Sequence, residues 1–391
     1  MTFTPVHTLL GGYLLHLASS SVLEDNGRVF GISGILSGAI FGPREGWRWA
    51  VVGGLLAGPL LGFMTGAEAY FPGNGLESIT QVGIGRLIIA GGLVGLGSRL
   101  GSGCTSGHML CGVSRLSPRS FIATITFFTT AVITANLAPT PYSSPISMPS
   151  AATATAFALH PASFSPSTLI ALFSTVAITT LAQQALRRYL LSAPQSSTQA
   201  ARATPYFLNG VIFALGLSFS GMADPRKVLG FLRFPQARTD PQEFDPSLAM
   251  VMLGGLLPNM IHYARLTRDK RDAKNNRDGA GTDVKRDAAA SDSSSSKRLR
   301  PKYPWELWRV SSGSANIDWK LIVGSAIFGI GWGCLGICPG PALVNLGEAI
   351  SRGMLHFHST NAGEAQRQMM VRIGAFIGSM LLGMAAIERS G

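Results

Sequence analysis

The residues best suited to chemistry in this sequence are its four cysteines, which lie in two glycine-rich clusters of the 391-residue chain. Cys104 and Cys111 belong to the first cluster, and Cys334 and Cys338 belong to the second. Four cysteines in a chain of this length do not form a disulfide framework. We therefore expect thiols that line a site rather than cross-links that hold the fold together.

Both clusters are predicted to place a cysteine where a helix begins. Gly-Ser-Gly precedes Cys104, and Cys338 is followed by Pro339, whose missing N–H costs nothing at the first position of a helix. A helix N-terminus presents free N–H groups and a partial positive charge, which together attract an anion. Because a thiolate would repel that anion, we expect neutral S–H groups that act as weak donors to a soft, sulfur-containing anion.

The same residues also fit other roles. Cys104, His108 and Cys111 are spaced i, i+4 and i+7, so they share one helix face and resemble three metal ligands. A single histidine in such a place is more often held by structural hydrogen bonds, and we predict no metal and no cofactor. Cys334 and Cys338 lie four residues apart and lack the C-x-x-C spacing of a redox pair. We expect Cys111 and Cys334 to act mainly as small packing residues.

Composition identifies the class of protein. Hydrophobic residues make up 46% of the chain and charged residues only 13%, against about a quarter charged in a soluble domain. The apolar residues come in long blocks, which exclude a disordered chain and disfavour a soluble enzyme. We predict an all-α polytopic membrane protein with nine transmembrane helices. The predicted spans are 5–23, 46–66, 82–100, 119–138, 167–184, 207–222, 246–266, 319–335 and 370–388.

Loop charges predict the orientation of these spans. The loops at residues 67–81 and 139–166 contain no Lys or Arg, as expected outside the cytoplasm. Half of the net charge of +12 lies in one linker, because thirteen Lys and Arg and seven Asp and Glu lie between Arg265 and Arg309. From Arg265 to Lys302 the linker has no interleaved aromatic residues, so it is interpreted as a cytoplasmic loop rather than a nucleic-acid binder. We predict an external N-terminus, a cytoplasmic C-terminus and a plasma-membrane location.

The chain is predicted to contain an internal repeat. Four glycine-interrupted apolar pieces, at residues 31–42, 97–110, 218–232 and 331–343, are too short to span and are typical of re-entrant half-helices. Each half then contains, in order, a span, a half-helix, two spans, a half-helix and a span. One extra span between the halves gives the second half the opposite orientation in the membrane. Irregular backbone at membrane depth is buried in protein or lines a cavity. We therefore expect the two cysteine-bearing half-helices to meet near the midplane.

These observations divide the chain into five predicted units. They are a first membrane repeat at 1–138, an irregular outer loop with a connecting span at 139–206, the first part of a second membrane repeat at 207–267, a disordered basic cytoplasmic linker at 268–318 and the second part of that repeat at 319–391.

Three motifs, in this order, resemble the YeeE/YedE family of sulfur transport proteins. They are GSRLGSGCTSGH at residues 97–108, GMADPRKVLGFL at 221–232 and GWGCLGICPGPAL at 331–343. The resemblance covers most of the membrane-embedded chain and excludes the linker. It implies uptake of thiosulfate by an hourglass-shaped helical protein with inverted repeats, in which Cys104 and Cys338 pass the ion on through transient S–H···S contacts. It also implies a cysteine in the first re-entrant segment, where residues 27–38 have none and Ser33 is a candidate donor.

We therefore predict a membrane permease that takes up thiosulfate or a related sulfur-containing anion past Cys104 and Cys338. Secondary candidates are Cys111, Cys334 and Ser33. The other residues predicted to shape the path are, on the inner side, Ser102, Gly103, Thr105, Ser106, Gly107 and His108, and, on the outer side, Pro339, Gly340 and Pro341.

Two other functions stay open at this point. One is a membrane thiol protein that transfers sulfane sulfur through a cysteine persulfide, and the other is a structural or regulatory membrane protein whose linker recruits partners. The predicted partners are a small sulfur anion such as thiosulfate, the lipid bilayer and a cytoplasmic sulfur-acceptor protein, without nucleic acid.

Overall fold

A computed structural model describes residues 3–73, 75–142, 164–192, 198–234, 244–278, 300–310, 317–355 and 362–388. Within these ranges the chain folds into helices that we number α1 to α14. They are α1 (Pro5–Asn26), α2 (Ile32–Ile40), α3 (Gly46–Thr65), α4 (Gly75–Thr80), α5 (Ile84–Leu100), α6 (Pro118–Leu137), α7 (Pro166–Ser192), α8 (Gln199–Phe219), α9 (Pro225–Leu232), α10 (Ala249–Val251), α11 (Leu257–Asp278), α12 (Trp319–Leu335), α13 (Pro339–Leu355) and α14 (Ala362–Glu388), with π-helical turns at Ser106–Gly112 and Met252–Leu256.

The described chain contains six stretches that are long and apolar enough to cross a membrane, which confirms the prediction of an all-α polytopic membrane protein. The other three predicted spans coincide with α1, α5 and α8. These helices pack within the bundle, α1 on α8, α8 on α3, and α5 on α12 and α14, so protein rather than lipid covers much of their surface. The six stretches are Gly46–Thr65, Pro118–Leu137, Pro166–Ser192, Pro246–Arg268, Trp319–Met354 and Gln366–Glu388.

One order of elements occurs twice along the chain. The first series is α1, α2, α3, α5, the half-helix that begins at Cys104, and α6; the second is α8, α9, the α10–α11 segment, α12, α13 and α14, and α7 connects the two. The piece predicted to end at Leu343 is longer than expected, because α13 continues to Leu355. It continues because it packs along α3, where Gly347 lies directly against the backbone of Leu56.

Ion pairs join several helices at one end of the bundle, which we call the basic end. Arg187 of α7 lies 2.9 Å from the Asp25 carboxylate of α1. Arg119 of α6 lies 3.4 Å from Asp318, the residue that caps the start of α12. The C-terminal ends of α1 and α7 and the N-terminal ends of α6 and α12 therefore share this end of the molecule.

Residues 300–310, which belong to the predicted linker, pack against the basic end. Tyr303 is only 2% exposed, and burial raises the pKa of its hydroxyl above the ordinary tyrosine value. The Tyr206 hydroxyl donates to the Glu306 carboxylate at 2.7 Å. This segment is therefore part of the fold, while residues 279–299 and 311–316 of the predicted linker lie outside the described residues. Within residues 300–310, the backbone N–H groups of Lys302, Tyr303 and Arg309 donate to the carbonyls of Glu24, Asp25 and Gly27, respectively.

Replacing Tyr303 with alanine should release this segment. Removing a buried aromatic side chain costs about 3–5 kcal/mol, and the segment has few other buried side chains to replace that contribution. We expect trypsin to cut after Arg309 much faster in Tyr303→Ala than in the wild type, as measured by mass spectrometry of the fragments. Leu307→Ala is the matched control because Leu307 is 68% exposed. Equal cleavage in the two variants would show that Tyr303 does not anchor the segment.

Candidate functional site

The two cysteine clusters, which are far apart in the sequence, contribute to one site. Thr105 Oγ1 and Cys338 Sγ lie 3.5 Å apart, within hydrogen-bonding distance for sulfur. Cys104 Sγ lies 3.3 Å from Ser106 Oγ. Cys104 and Cys338 are 1% and 5% exposed. Each half of the chain therefore supplies one buried thiol to this site.

Each of these cysteines is the residue at which a helix begins. The Cys104 carbonyl accepts a hydrogen bond from the His108 N–H at 2.9 Å, and the Cys338 carbonyl accepts one from the Ala342 N–H at 3.0 Å. Before Cys338, α12 ends at Leu335 and is capped by Gly336, whose φ of +74° lies in the left-handed region that favours glycine. That conformation lets the chain turn back within two residues, so Cys338 reaches the interior.

Cys104 and Cys338 line a cavity that we call the sulfur chamber. Its volume is about 40 Å³, more than the about 10–15 Å³ that a single water needs. Five of its lining side chains contain sulfur, since Met109, Met222 and Met252 join the two cysteines, and no lining residue is charged. Both π-helical turns contribute to its wall, and such turns are frequent at functional sites. The lining residues are Leu15, Ile32, Cys104, Thr105, Ser106, Met109, Leu110, Phe213, Leu217, Met222, Val251, Met252, Leu256, Cys338, Gly340 and Pro341.

A second and larger cavity lies at the basic end, and we call it the arginine vestibule. Its volume is about 410 Å³. Polar side chains and glycines make up much of its wall, in contrast to the apolar wall of the sulfur chamber. Its lining residues are Val29, Gly31, Ser33, Gly34, Ile35, Trp47, Arg48, Ser102, Gly103, Gly107, His108, Arg115, Ser117, Arg119, Ser120 and Tyr263.

A thin wall separates the sulfur chamber from the arginine vestibule. The Ile32 N–H donates to Ser106 Oγ at 3.0 Å, which joins the start of α2 to the Cys104 half-helix. Ile32 and Ser106 line the chamber, whereas Gly31 and Gly107 line the vestibule. A Cβ atom added at Gly31 would lie 3.5 Å from the Gly107 Cα atom. The two helix starts therefore touch through small residues and a single hydrogen bond to a side chain.

The predicted inner and outer residues do not form two separate sites. Thr105 and Ser106, predicted on the inner side, share the sulfur chamber with Gly340 and Pro341, predicted on the outer side. Both half-helices start at the same place in the bundle, which explains the difference. The other predicted inner residues, Ser102, Gly103, Gly107 and His108, line the arginine vestibule together with Ser33, and Pro339 lines neither cavity.

The secondary cysteines lie away from the sulfur chamber. Cys111 Sγ donates to the Phe30 carbonyl at 3.7 Å and lines a third, small cavity. Cys334 is half-buried, and its carbonyl accepts a hydrogen bond from Arg86 at 2.9 Å. The sequence did not single out the chamber methionines or the arginines of the vestibule as site residues. For Arg115 and Arg119 a signal was present, because they closely follow the Cys104 half-helix.

His108 has structural partners. Its Nε2 lies 3.0 Å from the Gly101 carbonyl oxygen and its Nδ1 lies 3.3 Å from Ser120 Oγ. A side chain at Gly103 would overlap the imidazole ring, so this glycine makes room for His108. Across the part of the chain that the structure describes, no three His, Cys, Asp or Glu side chains are placed to hold a metal ion. The ring thus ties residues 101–103 and α6 to the half-helix.

Comparisons with known proteins show the family. A family model described as "Family of unknown function (DUF6691)" matches residues 203–289 and 306–378, and so skips part of the predicted linker. A protein of Xylella fastidiosa (strain Temecula1 / ATCC 700964) named "Probable transporter" is 42% identical over 129 residues, which are 91% of that protein and 33% of this chain. This chain belongs to the family of that probable transporter.

A second protein of the same strain, also named "Probable transporter", is 29% identical over 157 residues, which are 80% of its length and 39% of this chain. Both relatives are therefore much shorter than this member of the family. Neither name states what is transported, so the resemblance to the YeeE/YedE family stays a prediction. No solved structure matches the chain.

Proposed function

We propose that this chain is a membrane transporter that takes up thiosulfate or a related sulfur-containing anion through the sulfur chamber. The observation that carries this proposal is the pair of buried thiols, Cys104 and Cys338, which come from the two halves of the chain and line one uncharged cavity. Membership of a family that contains probable transporters supports the transport function. The six long apolar helices support a membrane location.

The chemistry of the chamber favours a soft anion. Cysteine S–H groups are weak donors, and thioether sulfur is polarisable, so both make favourable contacts with a polarisable sulfur atom. The Thr105 and Ser106 hydroxyls add two ordinary donors for anion oxygens. A sulfate ion presents only oxygens and would lose more hydration than these few donors replace. The chamber should therefore accept thiosulfate and reject sulfate.

The charges suggest a direction for the path. Lys and Arg collect on the cytoplasmic side of membrane proteins, so the basic end is assigned to the cytoplasm and the opposite end to the exterior. The anion then enters from the end opposite the arginines, passes between Cys338 and Cys104, and crosses the wall at Ser106 into the arginine vestibule. This route uses neutral thiols and requires no covalent intermediate.

The burial of the thiols disfavours the persulfide alternative. A persulfide at Cys104 or Cys338 would have to meet the thiol of an acceptor protein, and side chains only 1% and 5% exposed are out of reach for such a partner. A small ion that diffuses into the chamber does not meet this obstacle.

Uptake of ³⁵S-thiosulfate by cells that express the full chain tests the proposed function. We expect accumulation above that of cells with an empty vector, inhibition by excess external unlabelled thiosulfate, and little inhibition by equal external sulfate. Equal inhibition by the two anions would contradict a sulfur-selective chamber. Absence of uptake, with the protein present in the membrane, would overturn the thiosulfate assignment.

A further inference from the structure

The arginine vestibule has a strongly one-sided charge. Three of its sixteen lining residues are arginines and none is acidic. Arg48 pairs with Glu45 at 2.9 Å and Arg119 has an ion pair with Asp318, so both have partners outside the cavity wall.

Arg115 differs from the other two arginines. Its Nε donates to the Cys111 carbonyl at 3.1 Å, and in the described ranges no carboxylate forms an ion pair with it. An unneutralised guanidinium on a concave, partly enclosed wall attracts anions more strongly than one on an open surface. The vestibule therefore has a positive group in its wall and is large enough for a hydrated ion.

Ser33 provides a second and independent sign of a ligand. Its side chain is 3% exposed and lines the vestibule, yet its Oγ has no hydrogen-bond partner. Leaving a buried hydroxyl unpaired is costly, and buried polar groups in folded proteins are nearly always satisfied. Ser33 also lies in the first turn of the nine-residue helix α2, where backbone N–H groups have no partner within the helix.

We propose that the arginine vestibule is a binding site for a small oxyanion, held by the Arg115 guanidinium, the Ser33 hydroxyl and the N–H groups of Ser33 and Gly34 in the first turn of α2. Guanidinium, hydroxyl and amide donors all recognise oxygen atoms, so this site accepts sulfate and thiosulfate alike. The sulfur chamber recognises the sulfur atom, and the vestibule recognises the oxygens. The role of this site in the transport path rests on the proposed function. In that path the site receives the anion after the sulfur chamber and replaces the hydration that the anion has lost.

Equilibrium dialysis of the purified full chain in detergent, with ³⁵S-sulfate as the probe, tests this site. Sulfate is chosen because the sulfur chamber should reject it. The variants are Arg115→Gln, Arg115→Lys, a double variant with Cys104→Ala and Cys338→Ala, and Arg44→Gln. Arg44 is exposed at the same end of the bundle and does not line the vestibule, so Arg44→Gln is the matched control. Size-exclusion chromatography shows whether each variant is folded.

We expect sulfate to bind the wild type, the double cysteine variant and Arg44→Gln with equal affinity. Arg115→Gln should bind about tenfold more weakly, as expected for the loss of one hydrogen-bonded charge pair, and Arg115→Lys should recover part of the affinity. Equal weakening by Arg44→Gln, or no weakening by Arg115→Gln, would overturn the site. If sulfate binds as expected while cells take up no thiosulfate, the vestibule stands and the proposed transport of thiosulfate is what fails.

Discussion

Replacement of Lys227 with methionine should lower the free energy of unfolding by about 3–5 kcal/mol, the usual cost of removing one partner from a buried ion pair. Lys227 Nζ lies 3.0 Å from Asp245 Oδ2 and donates to Thr4 Oγ1 at 3.0 Å. Asp245 is 1% exposed, and its other carboxylate oxygen accepts the Ser247 N–H at 2.9 Å. The pair joins α9 to the residues before α1 and α10, so its loss leaves a buried negative charge at a junction of three elements.

A double variant separates this electrostatic effect from simple loss of packing. Lys227→Met combined with Asp245→Asn removes both charges, and the asparagine oxygen can still accept the Ser247 N–H. Replacing both partners of a buried ion pair usually changes the free energy of unfolding little. Chemical denaturation in detergent micelles should therefore show that the double variant recovers most of the stability. A double variant as unstable as Lys227→Met would show that the uncompensated charge is not the cause.

Leucine at Gly95 should prevent α5 and α14 from packing. A Cβ atom at Gly95 would overlap the backbone of Met380, and one at Gly91 would overlap the backbone of Phe376. These glycines are four residues apart, which is the small-xxx-small spacing of closely packed membrane helices. Because a backbone carbonyl cannot move aside as a side chain can, we expect a loss of about 3 kcal/mol. The measurement is the yield of monodisperse protein together with its melting temperature.

Gly92 supplies a control within the same helix. A Cβ atom there meets nothing within 4 Å, so Gly92→Leu should fold as well as the wild type. Both substitutions change intrinsic helix propensity by the same amount, so their difference isolates the contact with α14. Similar behaviour of the two variants would contradict the packing of α5 on α14.

Much of the fold was predictable because a membrane-spanning helix requires about 20 consecutive, mostly apolar residues. Apolar length located the spans, and α12 has the predicted bounds, Trp319–Leu335. Proline and glycine located the two helix starts at Cys104 and Cys338. The packed segment at residues 300–310 was not predictable, because it is held by individual pairs such as Tyr206 with Glu306, which leave no periodic pattern in the sequence.

The candidate site was predictable in part. The positions of the cysteines in the two glycine-rich clusters predicted that Cys104 and Cys338 belong to the site. The internal repeat indicated that their half-helices would approach each other. The separation into a sulfur chamber and an arginine vestibule could not be read from the sequence. It depends on which side of the wall each residue faces, and neighbours such as Ser106 and Gly107 face opposite sides.

Uptake of ³⁵S-thiosulfate by the wild type, Cys104→Ala and Cys338→Ala tests the central claim most directly. Each substitution removes a donor to the anion inside the chamber, so uptake should fall about tenfold or more at equal membrane levels. Cys334→Ala serves as the control, since Cys334 does not line the chamber, and it should retain full uptake. Unchanged uptake in both Cys104→Ala and Cys338→Ala would contradict the claim that these thiols form the path of the ion.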